Sequence, residues 1–581
     1  MCQIKSKKVT VVTTKESECI VMKKKTTILI LFMLLFTQVM SFTTGCASKN
    51  TSTNEVVNDR ETITKDSNKD SNPDISDVVV SETVEEEAST NDVYSIQSNS
   101  RHYTDTIQPY DPDSVMVSTE EYAAITENPF ISTTENDTST FSADVDTASY
   151  SNIRRMINND CSLEEIPKDA VRIEEILNYF SYDYATPKEG EPFGVSMEST
   201  ICPWNPDHNI IRVGLSTQKV DFTDTPDSNI VFLLDVSGSM SDSNKLPLLT
   251  KAFSLFTNEL GANDKISIVT YAGEDKVVLE GVSGNDKDTI LTALENLEAS
   301  GSTNGSAGIE TAYQLAKENF IKGGNNRVIL ATDGDLNVGI TDNAELEDFI
   351  SQKRKEGIFL STLGFGMGNY KDAKLELLAD KGNGNYAYID NLTEAKKVMV
   401  EEMGANFTTV AKDVKFQVAF DPNIIANYRL IGYENRVMEN ADFENDKKDA
   451  GEIGSGHSVT ALYEVEMTEN YKIGEYLKDH PTADDYDCNW MTLKIRYKEP
   501  DKEKSKELSY NCLDSYYTSN PSKDLSFAMA VAEFGLLLRD STYKGEASFD
   551  NVIQLAKKSD TTADIYKSEF VKLVNTIAMT N

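Results

Sequence analysis

Apolar residues recur along this chain with two different periods, and the change of period marks its organisation. Between 228 and 407, short apolar runs at 230–234, 266–271, 277–279, 328–331, 359–363 and 386–389 alternate with stretches of helical spacing at 248–260, 287–297, 306–319, 344–355, 373–380 and 393–406. Strands alternating with helices predict a doubly wound, mainly parallel α/β sheet. Right-handed crossovers then bring the C-terminal ends of its strands to one edge. On either side the period is two. Residues 193–216 alternate, with a turn at Pro203-Trp204-Asn205-Pro206, and 414–420, 428–433, 458–467 and 491–497 follow the same rhythm. Strands on both flanks predict that 190–220 and 408–515 form one β-sandwich into which the α/β domain is inserted. Helical spacing returns at 153–157 and 171–180 and again in the tail, where 525–538 is almost continuously apolar and is expected to be a buried helix.

The first 118 residues have neither rhythm. Lys23-Lys24-Lys25 followed by the apolar run 28–39 has the layout of a secretory signal and is short for a membrane span. Thr43-Thr44-Gly45-Cys46 then resembles a bacterial lipobox, with Thr43 where Leu is usual; the resemblance implies that Cys46 is lipidated and becomes the mature N-terminus. The alternative is plain cleaved secretion. A start at Met22 gives a signal of ordinary length and leaves 1–21 as a candidate over-extended reading frame. Residues 47–118 are rich in Ser, Thr, Asn, Asp and Glu and are expected to be a disordered tether. Its reach is on the order of 45 Å. The expected division is therefore signal and lipobox over 1–46, tether over 47–118, an N-terminal flank over 119–227, the α/β domain over 228–407, a β-rich flank over 408–520 and a helical segment over 521–581.

Composition narrows the class. A length of 581 residues allows two to four compact units. The formal charge of -39 argues against nucleic acid and anionic lipid surfaces as partners. Once Cys2, Cys19 and Cys46 are set aside, Cys161, Cys202, Cys488 and Cys512 remain, either as free thiols or in one of three disulfide pairings, and their spacing does not choose.

The chemistry concentrates at the ends of predicted strands. The run 231–234 ends in Asp235-Val236-Ser237-Gly238-Ser239, three oxygen side chains on one turn where open α/β sheets bind ligands. Gly301-Ser302-Thr303-Asn304 precedes a helical stretch and offers the Thr303 hydroxyl, and the run 328–331 ends in Thr332-Asp333-Gly334. Hydroxyls and carboxylates without imidazole or thiolate suit a hard cation: Mg²⁺, with Mn²⁺ or Ca²⁺ as alternatives. The ordered set resembles the von Willebrand factor A domain with its metal-ion-dependent adhesion site. That resemblance implies that Ser237 and Ser239 hold the metal directly, that Thr303 or Asp333 joins according to conformation, and that Asp235 acts through water. The alternative is an A domain whose loops no longer bind metal. The flanks at 141–150, 169–180, 429–434, 447–462 and 534–545 resemble the YfbK-type bacterial von Willebrand factor A proteins, which implies a cell-envelope lipoprotein.

Other motifs carry less. Asp144-x-Asp146 lacks a preceding apolar strand and has Ala148 where a phosphotransfer motif needs Thr or Val, so helix-capping and turn chemistry is expected there, with an auxiliary cation contact as the alternative. His102, His208, His457 and His480 form no hydrolase motif. Gly364-Phe365-Gly366-Met367-Gly368 has the wrong spacing for a dinucleotide loop and is expected to be a turn. The expectation is a non-enzymatic, extracytoplasmic lipoprotein whose A domain grips an unidentified protein through that partner's exposed Asp or Glu. Self-association as an envelope scaffold is the alternative, and a metal-dependent hydrolase a weaker one.

Overall fold

The computed structural model describes residues 119–220, 225–301, 307–334, 340, 342–402, 407–469, 471, 488–500 and 502–580. The signal segment, Cys46, the tether and Thr303 lie outside the described residues. The chain divides into units 1–108 and 109–581, and everything described belongs to the second.

This unit opens with β1 (Ile131–Ser132), β2 (Thr138–Ser142), α1 (Ala148–Asn158) and α2 (Ile173–Asn178). The hairpin β3 (Phe193–Ile201) and β4 (Asn209–Thr217) follows. The α/β insert runs β5 (Ser228–Asp235), α3 (Leu246–Glu259), β6 (Lys265–Tyr271), β7 (Asp275–Ser283), α4 (Lys287–Glu295), α5 (Gly308–Glu318), β8 (Asn325–Thr332), α6 (Asn343–Lys355), β9 (Phe359–Phe365), α7 (Asp372–Lys381), β10 (Tyr386–Ile389) and α8 (Leu392–Lys396). A π-helical turn, Lys397–Glu401, extends α8. Then come β11 (Thr409–Phe420), β12 (Ile425–Ile431), β13 (Gly451–Gly454), β14 (Ser458–Met467), β15 (Asn489–Lys498) and β16 (Lys506–Leu513), and the helices α9 (Lys523–Leu538), α10 (Phe549–Ala556) and α11 (Ile565–Thr580).

The six-stranded sheet has the order β10-β9-β8-β5-β6-β7, parallel except for β7 beside β6. Every residue of β5 and β8 is buried, which is why both read as unbroken apolar runs rather than alternating ones. Successive β5 side chains feed two cores. Phe232 packs with Phe253 and Phe256 on one face, and Val231 and Leu233 with Tyr313 and Ile350 on the other. The C-terminal ends of β5 and β8 therefore emerge side by side.

Strands from both sides of the insert build the sandwich. One sheet is β1-β12-β14-β4-β3, with Ile211 of β4 opposite Tyr463 of β14; the other is β13-β11-β15-β16, with β2 beside β11. Val213, Val418, Tyr463 and Leu493 meet between them. The strands β2, β13 and β16 carry no strong apolar alternation: β13 is Gly-Glu-Ile-Gly, and β16 buries only Cys512. Both connectors of the insert fasten to the turn between β13 and β14. Thr217 N–H donates to His457 O (3.0 Å), Val220 N–H to Ser455 Oγ (2.7 Å) and Ser455 N–H to Thr408 O (2.8 Å). Burial pushes His457 down to about 4, so it stays neutral in this turn.

Helices α9 to α11, with α1 and α2, cover the other face of the first sheet against Ile210, Ile431 and Leu462. As expected from its composition, α9 is buried at every position from Leu525 to Leu538 except Leu537. Gly535 permits close contact with α2: a Cβ there would lie 2.7 Å from Ile173 Cγ1.

Three arginines clamp the insert to its surroundings. Fully buried Arg154 binds Asp390, Glu394 (2.8 Å) and Glu569 (2.9 Å). Arg172 binds Glu175 (3.0 Å) and Asp372 (2.7 Å). Arg436 binds Asp144 (3.0 Å), Asp146 (3.3 Å) and Asp380 (2.9 Å). The capping part of the expectation for Asp144-x-Asp146 is corrected, since Thr147, the residue before α1, makes no side-chain cap; the turn part holds, with Asp146 N–H donating to Asp144 Oδ1 (2.9 Å), and both carboxylates also hold a guanidinium supplied from beyond β12. Cys161, Cys202, Cys488 and Cys512 are free thiols. Among the described residues no helix is long and apolar enough to cross a membrane.

Candidate metal centre

Asp235 is the last residue of β5, and its side chain is fully buried between neighbouring strand ends. Its two oxygens face different loops. Ser237 N–H donates to Oδ1 (2.9 Å), closing the Asp-x-Ser turn, and Thr332 Oγ1 donates to Oδ2 (3.1 Å) from the end of β8. Thr332 in turn accepts from Gly334 N–H (3.2 Å), so a single hydroxyl joins the first loop to the one that carries Asp333. Ser237 Oγ and Ser239 Oγ lie 2.9 Å apart on the first loop, Ser237 buried and Ser239 exposed. A 3-10 turn over Gly238–Ser241 follows and keeps both hydroxyls on one bend.

The second loop is fastened to the first by backbone. Ser300 N–H donates to Val236 O (2.8 Å) and Gly238 N–H to Gly301 O (3.1 Å). A Cβ on Gly238 would stand 3.2 Å from that same carbonyl, which accounts for the glycine between the two serines. The segment leading to Thr303 is thus held against the serine turn.

Electrostatics suit a cation. Asp235 and Asp333 are buried on adjacent strand ends, and burial pushes the Asp235 carboxyl up from 3.8 to about 6, against hydrogen bonds from Ser237 and Thr332 that lower it. Burial and the Asp235 charge together hold the Tyr271 phenol, opposite Asp235 on β6, well above its ordinary value. The donor set of two hydroxyls and two buried carboxylates fits a hard divalent ion. Among the described residues there is no group of three or more His, Cys, Asp or Glu that could hold a metal, so any cation here depends on the hydroxyls. Asp235, with both oxygens engaged by the protein, fits the indirect role through water that the family resemblance implies.

Four of the five expected site residues, Asp235, Ser237, Ser239 and Asp333, come to this edge; Thr303 lies outside the described residues. Two contributors were missed. Thr332 stands beside Asp333 in the Thr-Asp-Gly run, where it had no assigned part. Lys245, ten residues beyond Asp235, places Nζ 2.9 Å from Asp333 Oδ2. Its arrival depends on how α3 starts, and no local pattern announces it. His208 pairs with Glu464 (2.7 Å), away from these loops, and His102 and His480 lie outside the described residues. Of the Gly364–Gly368 stretch expected to be a turn, Gly364 and Phe365 are the last residues of β9, and Gly366–Gly368 lies in the turn between β9 and α7.

The model of the von Willebrand factor type A domain matches residues 229–401. A von Willebrand factor model matches 116–212, and the model described as "Uncharacterized protein YfbK, C-terminal" matches 405–579. The "Uncharacterized protein YfbK" of Escherichia coli (strain K12) is 40% identical over 468 residues, 78% of this chain and 80% of that protein. Calcium-activated chloride channel regulator 1 of Homo sapiens is 26% identical over 185 residues, 31% of this chain and 18% of that one. A solved von Willebrand factor type A structure from Catenulispora acidiphila is 15% identical, with a TM-score of 0.38, and the match covers 68% of this chain and 91% of that chain. Domains of this type generally serve as adhesion and interaction modules and commonly hold a divalent cation. At 40% identity over most of both chains, this protein belongs to the YfbK family, and in it the von Willebrand factor A domain at 229–401 lies between the matched regions 116–212 and 405–579.

Proposed function

We propose that this chain is a cell-envelope lipoprotein, anchored through Cys46, whose A domain captures a protein partner at a Mg²⁺-dependent adhesion site. One arrangement supports this most: two serine hydroxyls 2.9 Å apart, backed by the buried Asp235 carboxylate, at the C-terminal edge of a parallel sheet. Ser237 and Ser239 would hold the ion directly, Asp235 through water, with Asp333 and Thr303 completing the set. Bound Mg²⁺ supplies a Lewis-acidic position for a partner's Asp or Glu carboxylate. A groove of about 510 Å³ beside Gly334, lined by Glu121, Glu347, Lys371, Lys374 and Leu377, offers surface of mixed charge and apolar character next to the third loop. Tethering by 47–118 would let the site reach outward from the membrane.

The test is capture from solubilised cell envelope in Mg²⁺ and in EDTA, with Asp235→Ala beside the wild type. Partner retention that needs both Mg²⁺ and Asp235 is expected, with the melting curve of the variant in EDTA close to that of the wild type. Equal retention in EDTA would remove the metal from the account. If the retained protein is this same chain, and sedimentation shows Mg²⁺-dependent association, the site serves self-assembly.

A further inference from the structure

Lys245 sits immediately before α3, its side chain 7% exposed, and its ammonium lies 2.9 Å from an oxygen of the fully buried Asp333. A second position is shaped around it. Gly366, in the turn after β9, has φ +75, and a Cβ there would stand 2.4 Å from Lys245 Cε and 2.6 Å from Cγ. The Gly-Phe-Gly-Met-Gly run that fits no nucleotide fingerprint thus leaves open the corridor along which the lysine stem passes. That turn is itself fixed: the Tyr388 hydroxyl donates to Gly366 O, and Gly368 N–H donates to Glu120 Oε1 (2.8 Å).

A carboxylate buried beside a second carboxylate requires countercharge. Here an ammonium provides it by a route that a distant glycine keeps clear. We propose that Lys245 is a resident counter-cation of the metal centre, neutralising Asp333 while the site is empty and weakening divalent-cation affinity by competing for that carboxylate. This rests on the metal-site reading above. The opposite role, in which Lys245 orients Asp333 as a ligand, makes the opposite prediction, because removing the lysine would then loosen the ion.

The test is Mg²⁺ titration by calorimetry on the full chain, wild type against Lys245→Met and Lys245→Gln, with the exposed Lys251→Met as control. Melting temperatures are recorded in EDTA and in Mg²⁺. The glutamine variant keeps a donor for Asp333 while losing the charge, so it serves if the methionine variant folds poorly. Both are expected to bind Mg²⁺ about tenfold to a hundredfold more tightly than the wild type. Both should also melt lower in EDTA and recover most of the loss in Mg²⁺. Unchanged or weaker affinity in both variants overturns the proposal while leaving the metal site standing. Absence of Mg²⁺ binding in wild type and variants alike overturns both.

Discussion

At the scale of single residues, the centre is held by groups that each serve two neighbours. Asp235 closes its own turn through Ser237 N–H and ties β8 through Thr332, so its carboxylate is oriented before any ion arrives. Burial raises it to about 6 from an ordinary 3.8. Without metal, the protonated form stabilises the fold at low pH, and that contribution is lost as pH rises through about 6. A divalent ion needs the ionised form. Mg²⁺ affinity should therefore be flat above about pH 7 and weaken by up to about tenfold per unit below about 6. Calorimetric titrations across that range check it, and affinity indifferent to pH would contradict the role given to Asp235. The four placed ligand candidates were legible because each adjoins an unbroken apolar strand run. Thr332 and Lys245 were not, since one acts across two strands and the other reaches Asp333 through space opened by Gly366, more than a hundred positions away in sequence.

At the scale of elements, the α/β insert was readable almost strand by strand, because five of its six strands are buried almost throughout and its helices carry one apolar face, while the edge strand β7 was marked only by the short apolar run 277–279. Short or polar edge strands such as β13 and β16 escaped, as their place comes from a neighbour's hydrogen bonds rather than from their own pattern. The arginine clamps escaped for a related reason: Arg154 meets Asp390 and Glu394 from the far side of the insert, and Arg436 meets Asp144 and Asp146 across roughly half the chain. Arg154 has no exposed side-chain surface and also approaches the Tyr179 hydroxyl at 3.0 Å. Arg154→Met would strand Asp390 and Glu394 without their guanidinium and is expected to cost about 3–5 kcal/mol. Urea unfolding followed by tryptophan fluorescence measures it; a loss within about 0.5 kcal/mol, the range of an ordinary surface change, would mean the clamp contributes little.

At the scale of the whole molecule, the A domain is built into its flanks rather than strung between them. Strands from before and after it share a sheet, its two connectors meet on one turn at Gly454–His457, and arginines lock α7 and α8 to the N-terminal helices. The strand edge that carries Asp235, Ser237, Ser239 and Asp333 lies apart from these fastenings and is the surface to which the proposal assigns the partner. The flanks and the insertion were foreseeable from the change of period along the chain, whereas the partner was not, because a socket for one carboxylate says little about the surface that carries it. All of this depends on the edge binding a cation through its two serines. The direct measurement is Mg²⁺ titration by calorimetry of the wild type and of the Ser237→Ala, Ser239→Ala double variant, with melting curves in EDTA showing that both are folded. The account predicts saturable binding of one Mg²⁺ per chain that disappears in the double variant; binding that survives loss of both hydroxyls, or no binding by the folded wild type, would contradict it.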